Sequence, residues 1–274
     1  MQYQTTIAKN ATYTGIGLHS GCEVTVTIKP APANTGIVFV RVDLPGCPQV
    51  AAISDNVTAT MRATTLENGE AKVFTVEHLL AACNAMQLDN CYIEMNAPEP
   101  PVADGSAIVF VNLIKDVGLV EQEAKRQVIV IDKVYTAREK DKFITVIPYD
   151  GFRISFTSVN PHPMLGVQYC DIEINAETFT KEIAPARTIA FTKEIEALQK
   201  MGLGLGGSIE NVIVYDEVKA LNPLRYEDEL VRHKVLDVVG DMRLAGNIRG
   251  HIIAVKSSHA LNTSLARKIK GFVE

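Results

Sequence analysis

The most informative pattern of apolar and polar positions lies between residues 227 and 245, where it predicts a long helix. Apolar side chains recur there at helical spacing, at Val231, Val235, Val238, Met242 and Ala245. Leucines occupy the other side, so the helix has no solvated face and we expect it to be buried. Among these apolar residues, His233, Asp237 and Asp241 lie four residues apart and share one face. Unpaired burial of such groups costs roughly several kcal/mol, so the pattern predicts partners for all three.

Shorter patterns divide the rest of the chain into strands and helices. Runs of apolar or alternating residues predict strands at 23–28, 37–42, 71–74, 91–95, 127–131, 143–148, 153–159, 168–175, 211–215 and 250–256. Helical spacing predicts further helices at 75–86, 106–117, 192–200 and 260–270. Thr75 stands at the start of the first of these helices, where its hydroxyl is expected to cap the N-terminus.

The order of these elements is similar in the two halves of the chain. In each half, a helix leads to a turn that ends in Asn90 or Asn247, and then to a strand and a terminal helix. This order predicts an α+β fold of two similar domains, each a β-sheet layered with helices. The polar segment 121–126 is the best candidate for a linker, which places the domains at 1–120 and 127–274. Two such domains packed face to face would form a cleft, where a site is expected.

Composition narrows the classes of function that remain. With 274 residues, 47% of them hydrophobic, the chain is long enough for one or two domains with ample core. A net charge of -5 argues against nucleic acid as a partner, because surfaces that bind nucleic acid are usually basic. No apolar run reaches the roughly 18 residues that a transmembrane helix needs, and no secretory signal is visible. The five cysteines are scattered and form no CxxC pair, so we expect reduced thiols in a cytoplasmic protein.

A second group of polar residues stands at a helix start in the first half of the chain. Glu77 and His78 lie there at the position that matches His233 in the second half. Taken alone, Glu77 is more typical of a residue that interacts favourably with the helix dipole. His78, taken alone, is more typical of a surface histidine. If the halves pack face to face, however, His78 meets His233 and Asp237, and two histidines with one carboxylate are a common catalytic zinc site. A glutamate beside such a site that is not a ligand is the usual base for water, which indicates that role for Glu77.

Asp241 and His259 form the next candidate pair. The turn that carries His259 follows the strand after the long helix, so it should lie at the same end of the sheet as Asp241. A carboxylate bonded to a histidine keeps the imidazole protonated, and such a cation can stabilise an oxyanion or protonate a leaving amine. Asp241 could instead pair with Arg243 or Arg249, and His259 could be an ordinary loop residue. Lys234 is either a helix-surface cation or a contact for an anionic substrate.

The glycine-rich run at 202–208 carries no known phosphate-binding motif. It lacks the ending of a Walker loop and does not match GxGxxG. The run is therefore either a flexible loop or the lining of a narrow apolar passage, where small residues leave room for a chain. His19, in the sequence Gly-Leu-His-Ser-Gly, is more typical of a structural residue, although it could lie near the mouth of a site.

Eight sequence blocks, taken together, closely resemble a known family. They span nearly the whole chain: GIGLHSG (15–21), APANTG (31–36), TVEHLLAA (75–82), NAPEPPVADGS (96–106), ARTIAF (186–191), GLGLGGS (202–208), LRYEDELVRHKVLDVVGD (224–241) and HALN (259–262). In these blocks the chain resembles the bacterial UDP-3-O-acyl-N-acetylglucosamine deacetylases, zinc enzymes that commit a sugar nucleotide to lipid A synthesis. The TVEH and RHKxxD blocks together are the most specific part of the resemblance.

The resemblance implies a fold and a metal site. The fold would be two similar α+β domains with the active site between them, and an insert near 190–215 would form an apolar tunnel for an acyl chain. The ligands of Zn2+ would be His78, His233 and Asp237, with Glu77 as the general base.

The resemblance also implies roles for residues around the metal. His259 would be the general acid or an electrostatic partner, with Asp241 behind it. The hydroxyl of Thr188 would bond to the tetrahedral intermediate, and Lys234 would be a cation near the substrate.

Four further residues would bind the substrate. Phe191 would lie near the substrate and the tunnel, and Gly204 and Ser208 belong to the glycine run of the tunnel insert. Ile189 stands where relatives often carry phenylalanine, so the packing at the sugar is expected to differ.

The expected reaction is zinc-dependent removal of the N-acetyl group from UDP-3-O-(3-hydroxyacyl)-N-acetylglucosamine, which gives acetate and the free amine. The protein would be a cytoplasmic monomer that associates at most transiently with a membrane surface, without a nucleic-acid partner. Two alternatives stay open at this point. One is a zinc amidohydrolase that acts on another N-acyl sugar, and the other is a non-catalytic module that binds a nucleotide sugar or a lipid.

Overall fold

The computed structural model describes residues 2–271 of the chain. Its first half contains ten strands and two helices, with one further short helical turn at Ser54–Asn56. The strands are β1 (Tyr3–Ile7), β2 (Ala11–Ile16), β3 (Glu23–Pro30), β4 (Ile37–Arg41), β5 (Gln49–Ala51), β6 (Val57–Ala59), β7 (Thr65–Asn68), β8 (Ala71–Phe74), β9 (Cys91–Met95) and β10 (Leu119–Lys125). The helices are α1 (Glu77–Ala85) and α2 (Ile108–Val117).

The second half repeats this mixture of strands and helices. Its strands are β11 (Ile129–Val130), β12 (Tyr135–Glu139), β13 (Lys142–Ile147), β14 (Phe152–Val159), β15 (Val167–Glu173), β16 (Ile189–Phe191), β17 (Ile213–Tyr215) and β18 (Ile248–Val255). Its helices are α3 (Ala176–Thr178), which continues into a wider turn at Phe179–Ile183, α4 (Thr192–Lys200), α5 (Glu229–Arg243) and α6 (His259–Lys270).

The main sheets of the two halves have the same topology. The strand order is β2-β3-β9-β4-β5 in the first half and β12-β13-β18-β14-β15 in the second. In each sheet the last strand, β9 or β18, lies in the centre, antiparallel to one neighbour and parallel to the other. This correspondence confirms the predicted α+β class and agrees with the internal repeat predicted from the order of elements.

Helix α5 is buried on all sides because it packs against elements of both halves. It contacts α1 of the first half as well as α6, β14 and β15 of its own half. Val231, Val235 and Val238 are fully buried on one side, and Leu236 is fully buried on another. An apolar surface around the whole helix is what such an enclosed position requires. The prediction of a buried helix within 227–245 is confirmed.

Helices α1 and α5 approach each other most closely at Gly240. A β-carbon at this position would lie 2.0 Å from the main-chain oxygen of Glu77, which leaves room for glycine alone. The side-chain amide of Asn84 also donates a hydrogen bond of 2.8 Å to the main-chain oxygen of Val239. These contacts place the first turn of α1 beside the middle of α5. The face-to-face packing of two whole domains stays a prediction.

The predicted linker at 121–126 lies largely in strand β10, which pairs with β1 in antiparallel orientation. Its polar sequence reflects the partial or full exposure of β10, not the absence of regular structure. The pairing brings the end of the first half back to the start of the chain. The domain boundaries at 120 and 127 stay a prediction.

The predicted helix cap at Thr75 was wrong. Helix α1 begins at Glu77, and no side chain caps its N-terminus. Thr75 has a φ of 57°, and its hydroxyl donates a hydrogen bond of 2.7 Å to Oε1 of Glu99 instead. Buried Glu99 also accepts hydrogen bonds from the main-chain N–H groups of His19 and Ser20, so it ties three segments together. Long-range contact overrode the local capping preference.

We expect Gly240→Ala to destabilise the protein. Alanine normally stabilises a helix interior by about 1 kcal/mol relative to glycine, but overpacking against a backbone atom costs about 1–3 kcal/mol. Thermal unfolding should show a lower midpoint for Gly240→Ala. The matched control is Gly271→Ala, where the added carbon would lie 3.5 Å from its nearest neighbour, in ordinary contact. A midpoint for Gly240→Ala at or above that of the wild type would contradict the close approach.

Candidate metal centre and active site

Three side chains predicted as metal ligands lie together between α1 and α5. His78 is in the first turn of α1, and His233 and Asp237 are one turn apart on α5. Oδ1 of Asp237 is 3.5 Å from Nε2 of His233 and 3.8 Å from Nε2 of His78. One donor atom from each residue lies within 4.8 Å of the others, and all three residues are buried. The structure therefore brings the predicted ligands within reach of a single ion.

The two histidines have the protonation state of metal ligands. Nδ1 of His233 lies 3.0 Å from the main-chain oxygen of Ala186, so it donates its hydrogen there and Nε2 keeps a free lone pair. Burial and the neighbouring His233 lower the pKa of His78 to about 3. Burial also lowers the pKa of His233. Both rings are neutral at physiological pH, as coordination of a metal requires.

Asp237 supplies the negative charge of the cluster. Burial alone would raise the pKa of its carboxyl, but Lys234 and His233 outweigh burial and hold the pKa below its usual range. Nζ of Lys234 lies 2.8 Å from Oδ2 of Asp237. The other oxygen is left to face the histidines. Two neutral imidazoles and one carboxylate fit a divalent cation of the zinc type.

Glu77 lies next to His78 in the chain but outside the metal cluster. Its Oε2 accepts a hydrogen bond of 3.0 Å from the main-chain N–H of Thr64. Its Oε1 lies 3.9 Å from Nε2 of His259. Burial raises the pKa of Glu77 to about 7, although the charge of His259 opposes this shift. A carboxyl with this pKa is suited to take up and release a proton near neutral pH.

The predicted pairing of Asp241 with His259 is present. Nδ1 of His259 lies 2.8 Å from Oδ2 of Asp241, which is completely buried. Burial lowers the pKa of His259, but Asp241 and then Glu77 outweigh it and raise the pKa to about 10. The imidazole is therefore a cation at neutral pH.

The alternative pairing of Asp241 with a nearby arginine was wrong. Arg243 donates its hydrogen bonds to Asn247 and to the main-chain oxygens of Leu88 and Asp89. Arg249 lies 3.3 Å from Asp150 on the surface. Neither arginine is therefore the partner of Asp241. Arg243 lies at the C-terminal end of α5, and Arg249 lies on β18.

A cavity of about 880 Å³ is lined by two of the three candidate ligands, His233 and Asp237. Its polar end is lined by His233, Asp237, Lys234 and His259. Its other end is lined mainly by apolar residues of α4 and the segments around it, namely Leu18, Ile195, Leu198, Leu203, Ile209, Val212, Val214 and Leu221. The predicted substrate-contacting residues also line it, namely Thr188, Ile189, Phe191, Gly204 and Ser208. Glu77, His78 and Asp241 are not among its lining residues.

The glycine run forms part of the cavity wall by packing on the segment that contains His19. The N–H of Gly206 donates a hydrogen bond of 3.0 Å to the main-chain oxygen of Leu18. A β-carbon at Gly206 would lie 2.2 Å from the main-chain oxygen of Gly17, so glycine is required there. His19 itself is buried and lines the cavity, and its Nδ1 accepts a hydrogen bond from Gly204. This arrangement favours the apolar passage over the flexible loop.

The chain matches a known family over almost its whole length. The family model described as UDP-3-O-acyl N-acetylglycosamine deacetylase matches residues 4–271. The chain belongs to this family. Its curated relatives include proteins named UDP-3-O-acyl-N-acetylglucosamine deacetylase from several bacteria. The relative from an Anaeromyxobacter species is 46% identical over 97% of this chain and 88% of its own length. Those from Marinobacter nauticus and Pseudomonas entomophila are 44% and 46% identical, over 97% of this chain and 90% and 89% of theirs.

Sequence reasoning missed two residues that hold the Asp241–His259 pair of this family member. Asn262 donates a hydrogen bond of 2.9 Å to Oδ2 of Asp241, and Thr64 donates one of 2.6 Å to Oδ1. Asn262 follows His259 by three residues in α6, and this helical spacing is a signal that could have identified it. Thr64 is 177 residues from Asp241, so no local pattern connects the two.

Sequence reasoning also missed a buried ion pair that positions the main-chain oxygen of Ala186, to which His233 donates a hydrogen bond. Nε of Arg187 lies 2.9 Å from Oε1 of Glu229, and the same oxygen accepts a hydrogen bond of 3.0 Å from the main-chain N–H of Arg187. This pair ties the segment before β16 to the first turn of α5. The main-chain oxygen of Ala186 is thereby held where Nδ1 of His233 can donate to it.

We expect His233→Ala to lose most of its bound metal, because one of three buried donors is removed. Metal analysis of the dialysed protein measures this directly. His251→Ala is the matched control, since His251 bonds to Ser155 in the sheet of the second half, outside the cluster. Full metal content in a folded His233→Ala protein would show that this histidine is not a ligand.

Proposed function

We propose that this chain hydrolyses the N-acetyl amide of UDP-3-O-(3-hydroxyacyl)-N-acetylglucosamine, the committed step of lipid A biosynthesis. The products are acetate and the free amine. The observation that carries this proposal is that His233 and Asp237, two members of the buried three-residue cluster, line a cavity that is also lined by many apolar side chains. The names of the curated relatives supply the substrate.

The metal centre would be held by the two histidines and Asp237, and we propose zinc as the metal. The same donor set also suits iron(II). A divalent metal held there would polarise a carbonyl oxygen and would lower the pKa of water toward neutrality. Lys234 would keep Asp237 ionised and oriented through its hydrogen bond. This bond differs from the role of Lys234 expected from the resemblance, a contact with the substrate, which stays a prediction.

Two groups with opposite charge would handle the protons of the reaction. Glu77 would take the proton from the attacking water through Oε1, the carboxylate oxygen that Thr64 leaves free. His259, held as a cation by Asp241, would stabilise the charge that develops on the amide and could donate a proton to the departing amine. Thr188 lines the same cavity as His233 and Asp237, and its hydroxyl would bond to the oxyanion.

The apolar end of the cavity favours an acylated substrate over the alternatives. Leu198, Leu203 and Val212 line this end and offer few partners to a polar group. A zinc amidohydrolase acting on another N-acyl sugar that lacks a long O-linked acyl chain would gain nothing from such a surface. A non-catalytic module would not need Glu77 and a cationic His259 within 3.9 Å of each other beside a metal cluster.

The predicted location and partners beyond the substrate stay predictions. No helix within residues 2–271 is long and apolar enough to cross a membrane. A sugar linked to UDP favours a cytoplasmic location, because nucleotide sugars are made there. The monomeric state and the transient contact with a membrane surface stay predictions as well.

We expect Glu77→Gln to keep its metal and to lose activity by about a hundredfold to ten-thousandfold, the usual contribution of a general base. Steady-state assays of acetate release, with metal analysis of the same samples, measure both effects. Glu67→Gln is the control, because Glu67 pairs with Lys72 on the surface. Wild-type turnover by Glu77→Gln would contradict the assignment of Glu77 as the general base.

We also expect UDP-N-acetylglucosamine without the acyl chain to be a poor substrate. Each buried methylene contributes about 0.8 kcal/mol, so loss of a chain of several methylenes should lower kcat/KM at least about a hundredfold. Parallel assays of the acylated and unacylated compounds provide the comparison. Equal kcat/KM values would contradict the acyl role of the cavity and would favour a different N-acyl sugar as substrate.

A further inference from the structure

Thr64 donates hydrogen bonds to both carboxylates that flank His259. The residue lies between β6 and β7 and is completely buried. Its main-chain N–H bonds to Oε2 of Glu77 at 3.0 Å, and its hydroxyl bonds to Oδ1 of Asp241 at 2.6 Å. One residue of the first half therefore contacts one carboxylate on α1 and another on α5.

The hydroxyl of Thr64 determines the orientation of the Asp241 carboxylate. Oδ2 of Asp241 is occupied by Nδ1 of His259 at 2.8 Å and by Asn262 at 2.9 Å. Thr64 is the donor at the other oxygen, so the two ends of the carboxylate are held from opposite sides. Without this donor, a buried oxygen would be left unpaired and the carboxylate could turn away from His259.

The amide of Thr64 determines which oxygen of Glu77 is available for chemistry. With Oε2 engaged by the amide, Oε1 lies 3.9 Å from Nε2 of His259. Because the amide and the hydroxyl belong to the same residue, they set the separation between Glu77 and the imidazole that Asp241 holds. A residue that only filled space would need the right shape but no hydroxyl.

We propose that Thr64 is a positioning residue for the deacetylation proposed above. Through its amide and its hydroxyl, Thr64 holds the base Glu77 and the cation His259 in a fixed relative position. The hydroxyl acts on His259 through Asp241 and does not touch the substrate. This inference rests on the proposed function, because it assigns Thr64 a role in that reaction. Thr64 is absent from the lining of the cavity, as such an indirect role requires.

Replacement of the hydroxyl tests the proposal in the metal-loaded protein. Thr64→Val keeps the shape and the amide but removes the hydroxyl, and Thr64→Ser keeps the hydroxyl. We expect Thr64→Val to lower kcat about 10- to 100-fold, the usual effect of losing a partner that orients an active group, with KM and metal content unchanged. Thr64→Ser should restore most of kcat. Thr65→Val is the matched control, because Thr65 is the adjacent buried threonine and sits in strand β7.

A double-mutant cycle separates action through Asp241 from a general loss of structure. If the hydroxyl acts through Asp241, then Thr64→Val should lower kcat much less in the Asp241→Asn background than in the wild type. Equal fold losses in the two backgrounds would overturn the proposal. Wild-type kcat for Thr64→Val, loss of metal from it, or failure of Thr64→Ser to restore kcat would each overturn it as well.

A spectroscopic readout keeps this inference distinct from the proposed function. The nitrogen chemical shifts of the His259 ring in metal-loaded protein should change in Thr64→Val and return in Thr64→Ser. Unchanged shifts in Thr64→Val would overturn the positioning role. If the wild-type protein released no acetate, that result would count against the proposed reaction. A change of the His259 shifts in Thr64→Val would then still support the link from Thr64 to His259.

Discussion

The contact between the first turn of α1 and Gly240 of α5 is the constraint on which the candidate site depends. The main-chain oxygen of Glu77 occupies the space that a β-carbon at residue 240 would need. Because the contact is between backbones, rotation of a side chain cannot relax it. It fixes His78, from one half of the chain, against His233 and Asp237 from the other, and these three residues form the candidate metal-binding cluster.

Burial acts in opposite directions on the groups around this contact, and specific charge pairs decide the result. It lowers the pKa of His78 to about 3, which leaves a neutral ligand, and raises the pKa of Glu77 to about 7, which suits a base. His259 is also buried, yet its pairing with Asp241 raises its pKa to about 10 and keeps the ring charged. One desolvated region thus holds a neutral histidine and a cationic histidine, because only one of them is hydrogen-bonded to a carboxylate.

The repeated topology explains how both halves contribute to one site without contributing the same groups. Helices α1 and α5 precede the corresponding central strands β9 and β18 and meet each other, and each presents a histidine to the candidate metal-binding cluster. The terminal helices differ, since α6 begins with His259 whereas α2 begins with Ile108. The order of elements along the chain was enough to predict this repeat, because sheet strands and helices have distinct periods. The segment predicted to be a linker lies largely in β10. An exposed strand can be as polar as a linker, so the polar composition did not distinguish the two.

The sequence by itself determined the long helix, the candidate ligands on it and the identity of Glu77 and His259, because helical spacing and sequence blocks are local and specific. Tertiary structure alone decided that Thr64 holds both Glu77 and Asp241. It also decided that Thr75 bonds to Glu99 instead of capping α1. Such contacts join residues up to 177 positions apart in the chain. No periodicity encodes them, since they arise only when packed helices and sheets bring distant segments together.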